Sequence, residues 1–242
     1  MNLTPDQNVF LEYGFIKINA TLVFSWAVMA ILLIVSILVT RKLSTGPKVS
    51  RWQILLETIV GAIRKQIKDI IGEKPGIIFP FVATLFLFVG VSNLLTVVPY
   101  YEPPTSSFSV AAALAVTVFL STPVFGIIKA GVGPFFKHYI EPSPVMLPFN
   151  IISEVSRTLA LAVRLFGNML SGTMIAGVLL SIAPLFFPLI MQALGLIIGM
   201  IQAYIFAALS AVYIGSATVS QEKTADKNKE LKQRWKKKKS KE

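Results

Sequence analysis

Residues 18–40, 76–101 and 103–128 contain no Asp, Glu, Lys or Arg, and each run exceeds the roughly 20 residues a helix needs to cross a hydrocarbon core about 30 Å thick. Each run predicts one membrane crossing. Two more helical segments, 150–182 and 189–219, are separated by Ala183-Pro184-Leu185-Phe186-Phe187-Pro188, whose prolines mark a turn. At 1.5 Å per residue these two segments extend to about 45–50 Å, well past the hydrocarbon thickness, so they are expected to tilt steeply. The reading is an all-α membrane protein with about five membrane-embedded helices, the last two forming a long tilted hairpin.

Composition agrees, and it removes several chemistries. Hydrophobic residues make up 54% of the 242 positions and charged residues 14%, against roughly a quarter charged in ordinary soluble domains. The chain has no cysteine, which excludes disulfides, thiolate nucleophiles and Cys-ligated metal sites within it, and its single histidine, His138, argues against a His-rich metal cage. No cofactor is expected. Met1 to Lys17 lacks the basic-then-apolar order of a cleavable signal, so Ile18 to Thr40 is expected to remain as a true span.

Basic residues set the orientation. Arg41, Lys42, Lys48, Arg51, Arg64, Lys65, Lys68, Lys74, Lys129 and Lys137 fall on one side of a five-span arrangement, together with the C-terminal segment. The other side holds the N-terminal segment, the Tyr101-Glu102-Pro103-Pro104 turn and residues 183–188, with Lys17 its one base. The positive-inside rule then makes the N-terminus external and the C-terminus cytoplasmic. The expected organisation is an external segment 1–17, a single membrane domain 18–220 and a basic cytoplasmic tail 221–242.

Within the domain, residues 51–72 read as an interfacial helix. Trp52, Leu56, Ile59, Ile63, Ile67 and Ile70 recur at spacings of three and four, with Arg64, Lys65 and Lys68 elsewhere around the wheel, so the helix is expected to lie on the cytoplasmic surface, packing there or docking a partner. Glu222 to Glu242 holds ten Lys or Arg and four acids, including Lys236 through Lys239. This tail is expected to be solvated and disordered, with contact to anionic lipid or to an acidic partner surface as the alternative. Nucleic acid is not an expected partner.

Arg164 breaks the apolar pattern in mid-span, and no charged residue follows it until Glu222. A guanidinium at a helix centre costs on the order of 2.5–3.5 kcal/mol on insertion scales, so it needs a partner or a task. On a helix, Glu154, Arg157, Leu161, Arg164 and Asn168 fall within a sector of about 80°, which must meet water or protein. Glu154 and Arg157 are spaced for an i,i+3 ion pair near the cytoplasmic end. That leaves Arg164 about 15 Å along the axis from Glu154. Either it snorkels or is satisfied by backbone, or its partner lies outside the chain.

The words around it carry a resemblance. Arg164-Leu165-Phe166-Gly167-Asn168-Met169, with Glu154 and Arg157 upstream, resembles subunit a of the rotary F-type ATP synthases. Ile201-Gln202-Ala203-Tyr204-Ile205-Phe206, followed by Val212-Tyr213, is similar to that family's last helix, and Asn93-Leu94-Leu95 closing on Pro99 to an earlier one. The likeness covers roughly residues 18–218.

This resemblance implies a non-catalytic stator subunit that forms two ion half-channels, for H+ or Na+, against the c-subunit ring. Arg164 would face the ion-carrying carboxylate in the middle of each c subunit and favour its ionised form. Because guanidinium keeps its proton, Arg164 would also block direct passage between the half-channels. Gln202 would hold the guanidinium by a hydrogen bond and Asn168 would line the pathway, with plain packing the alternative for each. Glu154, Arg157 and Thr173 complete the ion-translocation set, and Tyr213 is an interface anchor or a channel wall. Further implied partners are the peripheral stalk b subunits, the remaining F1Fo subunits and the lipid bilayer of a bacterial plasma (inner) membrane. Nucleotide chemistry would belong to the other subunits.

The chain departs from the family pattern at Thr173, where many members carry glutamate nine residues after the motif arginine. Thr96 stands at a position often polar or acidic, and Gly195 at one that is histidine or glycine. The outer half-channel is therefore expected to rely on hydroxyls and amides such as Asn93, Thr96, Ser171, Thr173, Ser181 and Gln192. In this the chain is similar to a variant bacterial class.

Two other classes fit the sequence less well. A secondary transporter often shows inverted repeats, and no internal repeat is evident. A membrane-embedded enzyme would need a Walker-type Gly-x-x-x-x-Gly-Lys sequence, a metal-ligand cluster or a His-based nucleophile system, and the sequence offers none of these.

Overall fold

Asn19 ends the second strand of a short antiparallel hairpin, and from Ala20 the chain turns into its first helix. The computed structural model describes residues 9–13, 16–41, 51–71, 76–98, 101–133, 146–182 and 187–239. The strands are β1 (Val9–Tyr13) and β2 (Ile16–Asn19), paired from Val9 with Asn19 to Tyr13 with Ile16. Among the described residues six α-helices follow, α1 (Ala20–Thr40), α2 (Arg51–Ile71), α3 (Ile78–Leu94), α4 (Phe108–Ala130), α5 (Met146–Ile182) and α6 (Phe187–Lys239), with short 3-10 turns at Leu95–Val97 and Pro104–Ser106. The small hairpin lies outside the all-α membrane domain and was not read from the sequence. Its alternation is too short to register as a period.

Among the described residues, five helices are long and apolar enough to cross a membrane, over Ala20–Leu38, Ile78–Val97, Phe108–Ile128, Pro148–Leu179 and Ile190–Ser216. These match the five expected spans. Residues 183–186 of the proline turn lie outside the described residues, as do Lys42, Lys48, Lys74, Lys137 and His138.

Four helices meet around Phe206, which is fully buried. Leu85 and Val89 of α3, Ala111, Ala115 and Val118 of α4, and Leu161, Ala162 and Leu165 of α5 close on Ala203 and Phe206 of α6. Alanines on α4, α5 and α6 let the backbones approach, which is how helices associate in lipid, where apolar side chains gain little by leaving the solvent. By contrast α1 leaves Trp26, Leu33 and Leu38 exposed, a surface suited to lipid.

The interfacial helix is more deeply engaged than its amphipathic pattern alone indicates. Ile67 of α2 joins Ile78 and Val82 of α3 and Ala207, Ala211 and Ile214 of α6 in a second core, with Ile63 and Ile70 packed beside it. Arg64 reaches over the Phe79 ring, 5.7 Å from its centroid. The side chains of Trp52 and Leu56 lie outside the described set.

Beyond the last span, α6 continues as helix to Lys239, through the segment expected to be disordered. No Gly or Pro follows Gly215 in α6, and Glu, Lys, Gln and Ala dominate there, all strong helix formers.

Candidate functional site

The last two helices run antiparallel, and two contacts fix how they align. Asn168 Nδ2 donates to Gln202 Oε1 at 2.7 Å, and the Arg157 guanidinium lies over the Tyr213 ring, 5.8 Å from its centroid. Arg157 and Asn168 are eleven residues apart, and so are Gln202 and Tyr213. One register therefore holds between the two contacts, over about 16 Å of helix. It sets Arg164 level with the buried Phe206, one turn from the amide pair and near the middle of the span.

Arg164 itself is exposed and makes no hydrogen bond or ion pair with any described residue. The sector containing it lies along the edge of the face that α5 buries: Leu161, Ala162 and Leu165 are packed, while Arg157, Arg164 and Asn168 are open. Their neighbours are apolar, with Leu159 and Val163 among the large exposed hydrophobics. A cation on an open apolar face is costly in lipid unless another molecule meets it.

Gln202 is only 2% exposed. It does not bond to Arg164, the partner expected from the sequence; its oxygen accepts from Asn168 instead. Its Nε2 is buried with no hydrogen-bond partner among the described residues. Reversing both amides keeps the Asn168–Gln202 bond in the opposite sense and turns the Gln202 oxygen to the free position. Glu154 is half-buried and has a partner, and its carbonyl accepts from Thr158 Oγ1 at 2.9 Å.

Thr173 is exposed, because α5 is largely open beyond Leu170. Its hydroxyl donates to the Leu170 carbonyl at 2.9 Å. Ser171 and Ser181 donate in the same way to Asn168 and Val178. A hydroxyl bonded to its own helix keeps lone pairs for another donor or a cation. Gly195 faces open space, since a Cβ there would meet nothing within 4 Å, so packing does not dictate the glycine. Among the described residues, no group of three His, Asp or Glu is placed to hold a metal ion.

At the end of the bundle away from Tyr213 lies a node that motif reading missed. Asn93 Nδ2 donates to the Gly199 carbonyl at 2.8 Å, and Asn93 Oδ1 accepts from Thr105 Oγ1 at 3.0 Å. Thr96 donates to the Asn93 carbonyl, and Gln192 Nε2 donates to the Thr96 carbonyl at 3.1 Å. Asn93 was expected to line a channel. At 1% exposure, with both amide atoms engaged, it is instead part of the packing. The signal available in the sequence was Gly199, a small residue on an apolar helix where a polar side chain can approach the backbone.

Comparison with known proteins agrees with this arrangement. The family described as ATP synthase A chain matches residues 22–215. A protein of Albidiferax ferrireducens named ATP synthase subunit a is 58% identical over 218 residues, covering 90% of this chain and 94% of that protein. ATP synthase subunit a 2 of Acaryochloris marina is 54% identical over 218 residues, covering 90% and 93%. ATP synthase subunit a 1 of Chlorobaculum parvum is 54% identical over 224 residues, covering 93% and 99%. With five apolar spans, a mid-membrane arginine and relatives this similar along almost their whole length, the chain belongs to the ATP synthase A chain family.

Proposed function

We propose that this chain is the stator-side ion channel of a rotary ATP synthase, forming two offset half-channels for H+ or Na+ against a ring of c subunits. The observation that carries the reading is Arg164: exposed in mid-span on an apolar surface, it has no partner among the described residues. A ring carboxylate arriving beside it would be favoured in its ionised form and release its ion. The permanent charge then keeps ions from passing straight between the half-channels, so the carboxylate must travel around the ring.

Asn168 and Gln202 sit one turn from the guanidinium. With both amides reversed, Gln202 offers an oxygen that can accept from Arg164 when the ring presses the side chain inward. Thr173, Ser171 and Ser181 supply hydroxyl oxygens further along the hairpin, where the family often has a carboxylate. Such neutral ligands suit hydrated ions of either kind. The chain would sit in a bacterial plasma membrane with the N-terminus outside and the basic C-terminus in the cytoplasm, beside the peripheral stalk and the other F1Fo subunits.

The ring-facing surface can be tested in the assembled complex. Ala160 and Ser171, four residues before and seven after Arg164, share its face and are exposed, whereas Ala162 is buried. Ala160→Cys and Ser171→Cys should form disulfides with cysteines placed at mid-membrane in the ring subunit, and Ala162→Cys should not. Because the chain has no native cysteine, background is low. Cross-linking from Ala162→Cys alone would turn the opposite face to the ring and overturn the assignment.

A further inference from the structure

The turn of α6 from Gly199 to Ala203 is held from two sides. Towards α5, Gln202 accepts from Asn168. Towards α3, Gly199 offers its carbonyl to Asn93, three residues before Gln202 on the same turn. The approach is close: a Cβ built on Gly199 would stand 2.9 Å from Asn93 Cβ and 3.1 Å from its Cγ and Nδ2. One turn further on, a Cβ at Gly90 of α3 would meet Ala203 Cβ at an ordinary 3.8 Å. The glycine at 199 is thus the notch that admits the asparagine.

Most of the remaining contact between α3 and α6 is apolar, through residues such as Val82, Leu85 and Val89 against Phe206, Ala207 and Ala211. Apolar packing is non-directional and resists axial sliding only weakly. The Asn93 amide does resist it. A slip of one residue moves a helix about 1.5 Å, enough to carry a hydrogen bond out of its 2.7–3.2 Å range. Thr105 Oγ1 in turn fixes the rotation of the amide by donating to Asn93 Oδ1, so the nitrogen is committed to Gly199.

We propose that Asn93 is a positioning residue for ion translocation. Seated in the Gly199 notch, it sets the axial height of α6 against α3, and so the height at which Gln202 meets Asn168 beside Arg164. This rests on the reading of Arg164, Asn168 and Gln202 as the ion-translocation site. Asn93 touches neither the guanidinium nor the passing ion. Its effect travels through α6.

The test uses membrane vesicles with matched amounts of assembled complex and measures ion uptake per ATP hydrolysed. Gln202→Leu and Asn93→Ala should each lower that ratio about three- to tenfold, the factor for one net hydrogen bond. The double variant should fall no further than Gln202→Leu alone, because once Gln202 is gone its height no longer matters. Thr105→Val, which releases the amide while keeping side-chain volume, should give a smaller loss that also disappears in the Gln202→Leu background. This variant keeps the test open if Asn93→Ala fails to assemble. Losses that multiply in the double variants would make Asn93 independent packing and sink the proposal, as would wild-type coupling in both Asn93→Ala and Thr105→Val. Wild-type coupling in Gln202→Leu would instead remove the site reading itself, and this inference with it.

Discussion

Asn168 and Gln202 form the side-chain hydrogen bond that joins the two helices of the hairpin, 2.7 Å long and one turn from Arg164. Asn168 is open to the surface while Gln202 is buried, so the bond links the exposed face of α5 to the interior of α6. The pair should therefore act as a unit. Removing either partner strands the other amide, at about 1–3 kcal/mol for a buried group. Asn168→Leu and Gln202→Leu should each reduce ATP-driven pumping several-fold, and the double variant should retain more activity than the product of the two losses. Multiplicative losses in vesicle pumping would mean that the bond has no functional weight.

The Arg157–Tyr213 contact should matter for holding the hairpin together more than for transport. A cation over a half-buried ring is worth about 0.5–2 kcal/mol, and a lysine would keep the charge but lose the planar stacking. Tyr213→Leu should leave pumping within about twofold of wild type and make the complex slightly easier to dissociate in detergent. A loss of pumping as deep as that of an Arg164 variant would move this contact into the ion pathway.

Topology can be read with an impermeant thiol reagent on intact cells. With bases confined to one side, cysteines replacing Thr4 and Glu102 should label from outside, and one replacing Lys229 should not. Thr105, three residues on in the same connection, is a poor reporter: it is fully buried with its hydroxyl on Asn93. Labelling of Lys229→Cys from outside would overturn the orientation.

The five spans were legible because charge is excluded from lipid by several kcal/mol per residue, a signal strong enough to survive any detail of packing. The hairpin's face was legible for the same reason, since Glu154, Arg157, Arg164 and Asn168 are dear to keep in an apolar segment. What could not be read was which polar groups pair. Gln202 was expected on Arg164 and is found on Asn168, and Asn93 was expected at a channel wall and is found in a glycine notch. Both outcomes depend on the register between helices, which differences of an ångström decide and which one sequence does not encode locally. The helical tail was missed for the opposite reason: its net charge suggested disorder, while its residue types individually favour helix.

Thr173 stands where many family members place an acid, nine residues past Arg164 and on the opposite side of the helix, in a stretch that is open. Thr173→Glu should assemble, since nothing packs tightly there, and should shift the pH or sodium dependence of transport by adding a titratable group. Thr173→Val keeps the shape and deletes the hydroxyl, so it should slow transport modestly. Normal transport with unchanged ion dependence in both variants would assign Thr173 to the lipid-facing surface.

Arg164 separates charge from geometry. On the proposed reading, Arg164→Ala would remove both the counter-charge to a ring carboxylate and the barrier between half-channels, so it should assemble yet abolish ATP-coupled ion movement and allow a passive leak. Assembly should survive because the side chain bonds to no described residue and the packed face of α5 lies beside it, through Leu161 and Leu165. Arg164→Lys retains a cation but not the planar, delocalised fork, so most coupling should be lost there too. Pumping into vesicles with matched amounts of complex gives each readout. Wild-type pumping by Arg164→Ala would remove this arginine from the mechanism and leave the exposed cation of α5 without a role.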